Sequence, residues 1–223
     1  MEEDDESEED MAGALAPNPS HISKGRIMSK SQLNTRKIAS LGMLSAVATV
    51  LMFLSFSVPL APSFLKLDFS ELPALLAAFA YGPVSGAIVC LVKNLINALF
   101  TTTGGVGELS NFLLGVCFVV PAGLVYRGGK TRRRAFMGAF MGAVCMAILS
   151  LPINYFLVYP VYTAFMPMET ILNLYRAIDR NVDSLFRALV EFNVPFTFVK
   201  AMLSTALAFM VYKPLSPILK GRK

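Results

Sequence analysis

Four long runs of this sequence hold no charged residue at all, at positions 38–65, 72–92, 109–126 and 135–168. Two more apolar stretches, around 84–101 and 192–212, are each broken by one lysine, Lys93 and Lys200. A helix needs ~20 apolar residues to cross a bilayer, and a soluble domain of this length has no interior large enough to hide six such segments. With 55% hydrophobic and 16% charged residues and a mean hydropathy of +0.58, the composition agrees. The pattern predicts an all-α integral membrane protein with six transmembrane helices, at roughly 38–58, 72–81, 84–101, 109–126, 135–158 and 192–212. The second is short and ends at Tyr81-Gly82-Pro83, a helix-breaking turn. One long kinked helix over 72–101 is the competing count, and it would invert the topology downstream.

Charge placement bears on the count. Lys24, Arg26, Lys30, Arg36 and Lys37 precede the first span, Arg127, Lys130, Arg132, Arg133 and Arg134 follow the fourth, and Lys213, Lys220, Arg222 and Lys223 close the chain. Six spans put all of these on one side, which the positive-inside rule makes cytoplasmic, together with both termini. The opposite side keeps Lys66, Arg176, Arg180 and Arg187, offset by acids. The formal net charge of +5 conceals this, because eight of the fifteen acids lie between Glu2 and Asp10. Residues 1–35 thus read as a disordered acidic/basic tail, residues 36–213 as the membrane domain, and residues 214–223 as a basic cytoplasmic tail. The basic inner rim suits anionic lipid headgroups, and nothing in it suggests nucleic acid. No cleavable leader is expected, since the first apolar run starts only at Ile38.

Several chemistries are excluded. The only histidine is His21, in the tail, and no predicted span holds an aspartate. A Ser-His pair or an aspartyl pair inside the membrane is therefore impossible, and an enzyme is not expected. Cys90, Cys117 and Cys145 lie inside spans with no zinc spacing, so no metal is expected. Gly128-Gly129-Lys130-Thr131 follows a membrane helix instead of a strand and lacks the earlier glycine of a phosphate loop, so it reads as a surface turn.

What remains is polar chemistry inside apolar helices. Asn193, Thr197, Lys200 and Ser204 fall at i, i+4, i+7 and i+11, one narrow stripe. A charge at membrane depth costs at least ~2.5 kcal/mol and marks a functional position facing protein or water. Ser150 and Asn154 share a face near the outer end of the fifth span, and Tyr155, Tyr159 and Tyr162 form another. Asn154 and Lys200 can line one outward-facing cavity, or can simply bond each other between helices. Lys93 and Asn97 share a face of the third span, where the lysine either ties helices together or snorkels. The loop 59–72 alternates Leu65, Leu67 and Phe69 with Lys66, Asp68 and Ser70, and reads as a lid or as a solvated connector capping the next helix. Glu108 and Asn111 open the fourth helix after a Gly-rich turn. Residues 169–191 are amphipathic and predict one or two helices on the outer surface, broken near Asn181. Ala39, Gly42 and Ala46 give the first helix a small-residue surface for close approach by a neighbour, internal or external.

Taken in order, 65–75 (Leu-Lys-Leu-Asp-Phe-Ser-Glu-Leu-Pro-Ala-Leu), Tyr81-Gly82-Pro83, Lys93-Asn94-Leu95, 107–112 (Gly-Glu-Leu-Ser-Asn-Phe), Asn154-Tyr155 and 193–200 (Asn-Val-Pro-Phe-Thr-Phe-Val-Lys) resemble the riboflavin-specific substrate-binding (S) components of energy-coupling factor (ECF) transporters, from about Arg36 to Tyr212. The resemblance implies a subunit in a prokaryotic cell membrane that captures riboflavin on the outer face, as transported ligand and not as cofactor. It implies assembly with a membrane T component and two cytoplasmic ATPases. The implied ligand site draws on Leu65, Asp68, Asn97, Glu108, Asn111, Asn154, Tyr155, Thr197 and Lys200, with Thr197 standing where the family often has Asn. The implied T-component surface is Ala39, Gly42 and Ala46. Another vitamin is the near alternative. A self-sufficient secondary transporter built on Lys93 and Lys200 is a further one, set back by the absence of a carboxylate within the spans.

Overall fold

The computed structural model describes residues 30–59, 62, 65–101, 104–164 and 166–220. Most of the expected disordered tail, residues 1–29, and the last three residues of the basic tail lie outside the described residues. The described residues from Arg36 onward form one compact unit.

The elements are α1 (Lys30–Phe53), β1 (Phe56–Ser57), β2 (Lys66–Leu67), α2 (Glu71–Tyr81), α3 (Pro83–Ala98), α4 (Val106–Arg127), α5 (Arg132–Ile153), α6 (Tyr159–Tyr162), α7 (Met168–Arg176), α8 (Leu185–Ala188) and α9 (Val194–Lys220). Single π-helical turns, Asn154–Val158 and Leu189–Asn193, join α5 to α6 and α8 to α9. Among the described residues, four helical runs are long and apolar enough to cross a membrane: Thr35–Phe53, Val106–Arg127, Arg132–Tyr162 and Leu185–Val211. The last two exceed the expected 135–158 and 192–212, because the π turns carry the helix through segments that break strict 3.6-residue periodicity. The backbone also stays helical to Lys220, through most of the segment expected as a tail.

α2 and α3 are apolar but shorter, 11 and 16 residues, or about 16 and 24 Å long. Gly82 joins them at φ +100°, open to glycine at little steric cost, and Pro83 starts α3 at its first turn. The two run antiparallel, so Glu71 at the start of α2 meets Lys93 on α3. The Gly82 tip lies beside the far half of α4, where Phe79 packs on Tyr126 with ring centroids 4.8 Å apart. The competing single kinked helix over 72–101 is thereby replaced by a hairpin.

α4 and α5 pack closely through Gly138 and Gly142. A β-carbon on Gly138 would stand 2.6 Å from the Ala122 carbonyl oxygen, and one on Gly142 would collide with that of Phe118. This is a small-xxx-small contact. Around it Leu75, Leu76, Phe118, Val119, Ala139, Ala143, Met146 and Ala201 form the core. Large apolar side chains such as Met43, Val50, Phe136 and Ile148 point outward, while Lys93, Glu71, Asp68, Ser150 and Ser204 are buried. An apolar exterior, with the polar and charged groups held inside among the core side chains, is what a bilayer solvent selects. α1 buries Leu41, Leu44, Ala48 and Met52 and turns Ala39, Gly42 and Ala46 outward.

The amphipathic segment is two short helices, α7 and α8, parted at 177–184 around Asn181. β1 and β2 pair antiparallel, Phe56 opposite Leu67, a minor exception to the all-α expectation. They fasten the loop before α2 to the end of α1.

Candidate functional site

The loop after β2 does not run over the surface. Leu67, Asp68 and Ser70 are buried, and Glu71 abuts Gly115, whose β-carbon would sit 2.9 Å from Glu71 Oε2. Gly115 lies about 13 Å along α4 from its first residue, at 1.5 Å per residue. The chain therefore dips into the bundle before α2 begins. Of the two expectations for it, a solvated connector is excluded. Ser70 precedes α2 without capping it, and its hydroxyl serves another purpose.

That descent supplies the carboxylates missing from the predicted spans. Lys200 donates to Asp68 Oδ2 at 2.7 Å, and Lys93 donates to Glu71 Oε1 at 2.7 Å with neither side chain exposed. Two open alternatives are decided here. Lys93 does not snorkel but ties α2 to α3. Lys200 bonds the loop and not Asn154, since a cation at this depth takes an anion when one is within reach. Lys93 also donates to Ser70 Oγ at 2.6 Å. Asp68 Oδ1 accepts both the Ser70 amide, at 2.9 Å, and the Ser70 hydroxyl.

Above this network is a cavity of about 510 Å³, within the ~300–1,000 Å³ range of small-molecule sites. Eight residues expected at the site line it: Leu65, Asp68, Asn97, Glu108, Asn111, Asn154, Thr197 and Lys200. They come from the dipping loop, α3, the first turns of α4, the first π turn and α9. Glu108 accepts from Thr101 Oγ1 at 2.9 Å, which fixes the turn before α4. Asn154 donates to the Ser150 carbonyl at 2.7 Å, and Ser110 donates to Asn154 Oδ1 at 3.4 Å. Asn111 Oδ1 is buried and has no hydrogen-bond partner among the described residues.

Tyr155, the ninth, is not in the cavity. It is 39% exposed and packs edge-on against Phe156 and Phe186. The π turn is the reason. It closes at i+5, with the Tyr159 amide bonded to the Asn154 carbonyl, so Tyr159 joins Asn154 on the inner face and Tyr155 rotates out. The expected Tyr155–Tyr159–Tyr162 face, drawn at 3.6 residues per turn, is broken there.

Tyr159, Tyr162, Asn193, Ser110, Lys66, Phe53, Phe100 and Phe196 also line the cavity. Asn193 was legible from the α9 stripe, whereas Tyr159 became so only through the π turn. Tyr159, Tyr175 and Asn193 close a ring of hydrogen bonds: Tyr175 donates to Asn193 Oδ1 at 2.6 Å, Asn193 Nδ2 donates to Tyr159 at 3.3 Å, and the two phenols bond each other. Burial pushes the Tyr175 phenol well above its ordinary value, so it stays a donor. Through this ring α7 is pinned against the mouth.

The charged lining is Lys66, Asp68, Glu108 and Lys200, two cations and two anions. Such a site suits an uncharged ligand with several polar groups. Phe53, Phe100, Phe196, Tyr159 and Tyr162 supply flat walls.

Residues 36–212 match the family described as ECF transporter, substrate-specific component. A protein named riboflavin transporter RibU, from Staphylococcus aureus (strain TCH60), is 35% identical over 196 residues, 88% of this chain and 98% of that protein. Riboflavin transporter FmnP of Bacillus subtilis (strain 168) is 28% identical over 194 residues, 86% of this chain and 97% of that one. A solved structure described as the S component of a bacterial ECF transporter superposes with a TM-score of 0.67 at 32% identity, covering 84% of this chain and 99% of its own. These relatives are named as transporters and not as enzymes.

Proposed function

The chain belongs to the family of substrate-specific components of ECF transporters, and from that premise we propose that it captures riboflavin in the cavity above Lys200. The observation that carries the reading is the charge-balanced, aromatic-walled cavity with the unpartnered acceptor Asn111 Oδ1. Riboflavin is uncharged. Its flat tricyclic ring ends in a uracil-like edge, one N–H between two carbonyls, and its ribityl chain carries hydroxyls. Asn111 Oδ1 can accept the ring N–H or a hydroxyl, and the amide of Asn154 can serve a ring carbonyl. Lys200 gives one N–H to Asp68 and keeps two for ligand oxygens. A phosphorylated flavin would bring about two negative charges to a site with no surplus of cations.

The outward-facing sense follows from charge. Arg127, Lys130, Arg132, Arg133 and Arg134 are exposed or nearly so, in the turn where α4 ends away from the cavity. The positive-inside rule turns that end to the cytoplasm, with both termini, in a six-span arrangement where α2 and α3 count as short spans. Delivery would require a T component, seated on the outward face of Ala39, Gly42 and Ala46, and two cytoplasmic ATPases. Asp68 and Glu71 are held in ion pairs as scaffolding of the site, which leaves the energy to those partners.

The test is titration of the purified protein with riboflavin, followed by quenching of flavin fluorescence, with flavin mononucleotide as competitor. Saturable binding of riboflavin with weaker competition by the phosphate ester is expected. Absence of binding defeats the reading, and equal competition defeats the charge argument.

A further inference from the structure

We propose that Lys93, Glu71 and Ser70, none of which lines the cavity, are positioning residues that set where Lys200 stands in the ligand site. The inference rests on the riboflavin reading above and names residues that act at one remove from the ligand.

The chemistry of the chain fixes its direction. Lys93 is fully buried and has donors only. One N–H goes to Glu71 Oε1 and one to Ser70 Oγ. Ser70 Oγ, with a donor already aimed at its lone pair, must turn its own proton away, and it points to Asp68 Oδ1. That oxygen also takes the Ser70 amide. Asp68 is thus clamped at Oδ1 from one side, and Oδ2 faces Lys200. Reversing any one bond would leave two donors or two acceptors facing each other. The bonds therefore run in one sense from Lys93 through Ser70 to Asp68, and there they meet the bond that Lys200 donates from the cavity side.

Glu71 is what keeps Lys93 in place. Without a carboxylate of its own, a lysine at this depth would compete with Lys200 for Asp68. With Glu71 present, each cation has one anion and the cavity stays balanced. The hairpin, pinned at Gly82, carries both Glu71 and Lys93, so the fold of α2–α3 is read out as the position of Lys200.

The experiment is a double-mutant cycle on the full chain in detergent. Ser70→Ala breaks the chain while leaving the Lys93–Glu71 pair, and should weaken riboflavin binding roughly three- to tenfold. In a Lys200→Ala background the same substitution should cost nothing further, because its only route to the ligand is gone. Equal losses in both backgrounds, or none in either, overturn the proposal. Should Ser70→Ala fail to fold, the combined Glu71→Gln, Lys93→Met variant, which leaves no buried charge unpaired, must show the same coupling. A ligand-free readout separates this inference from the riboflavin reading. Acylation of Lys200 by an amine-reactive reagent, followed by mass spectrometry, should be faster in Ser70→Ala than in the parent, and an unchanged rate overturns the positioning role. Failure of the parent chain to bind riboflavin, with that acceleration present, would instead overturn the ligand assignment alone.

Discussion

Lys200 and Asn154 carry the residue-scale case. Both are nearly buried and both face the cavity, Lys200 at 7% and Asn154 at 5% exposure. A hydrogen bond to a charged group is worth ~1.5–3 kcal/mol. Lys200→Ala and Asn154→Ala are each expected to lower riboflavin affinity by about one to two decades, measured by fluorescence quenching. Unchanged affinity in both would mean the cavity is not the site. Part of the Lys200→Ala loss would come from stranding the Asp68 carboxylate at 3% exposure. Adding Asp68→Asn should recover stability in a thermal melt. Tyr155→Ala, by contrast, should shift affinity less than about twofold, since its ring lies outside the cavity and a surface change away from special features stays within ~0.5 kcal/mol. A tenfold loss there would contradict the register set by the π turn.

At the scale of elements, two glycines with similar sequence surroundings are predicted to behave oppositely. Gly42 on α1 has nothing within 4 Å of where a β-carbon would stand, whereas Gly142 on α5 meets the Phe118 carbonyl of α4. Gly142→Leu forces two packed helices apart, and overpacking typically costs ~1–3 kcal/mol or more. It should lower the melting temperature in detergent and reduce yield of folded protein. Gly42→Leu should leave the melt and riboflavin binding of the isolated subunit unchanged. If Gly42→Leu unfolds the chain, α1 packs inside the bundle on that face after all.

At the scale of the whole molecule, the same Gly42→Leu variant, or Ala46→Trp, should fail to co-purify with a T component and ATPases and should abolish uptake while binding persists. Loss of binding along with assembly, or of neither, would sink the docking role. Orientation can be read separately. A cysteine placed at Lys130 should be shielded from a membrane-impermeant maleimide in intact cells, and one at Arg180 should be labelled. The reverse pattern would invert the cavity toward the cytoplasm.

The sequence by itself determined that the chain lives in a membrane, because charge-free runs of this length have no other solvent. It also marked several of the residues that line the cavity. A polar residue in an apolar helix is rare enough to announce itself, so Lys200, Thr197, Asn193 and Asn154 were legible from spacing alone. The tertiary structure decided what local periodicity cannot express. The π turn at Asn154–Val158 moved Tyr159 inward and Tyr155 outward, since i→i+5 closure depends on packing and leaves no mark on a 3.6-residue pattern. The partners of the two buried lysines lie 22 and 132 positions away in the chain. Only a loop that dips into the bundle brings Asp68 and Glu71 to them, and that descent is favoured by the cost of an unpaired charge at depth, which no stretch of sequence carries alone.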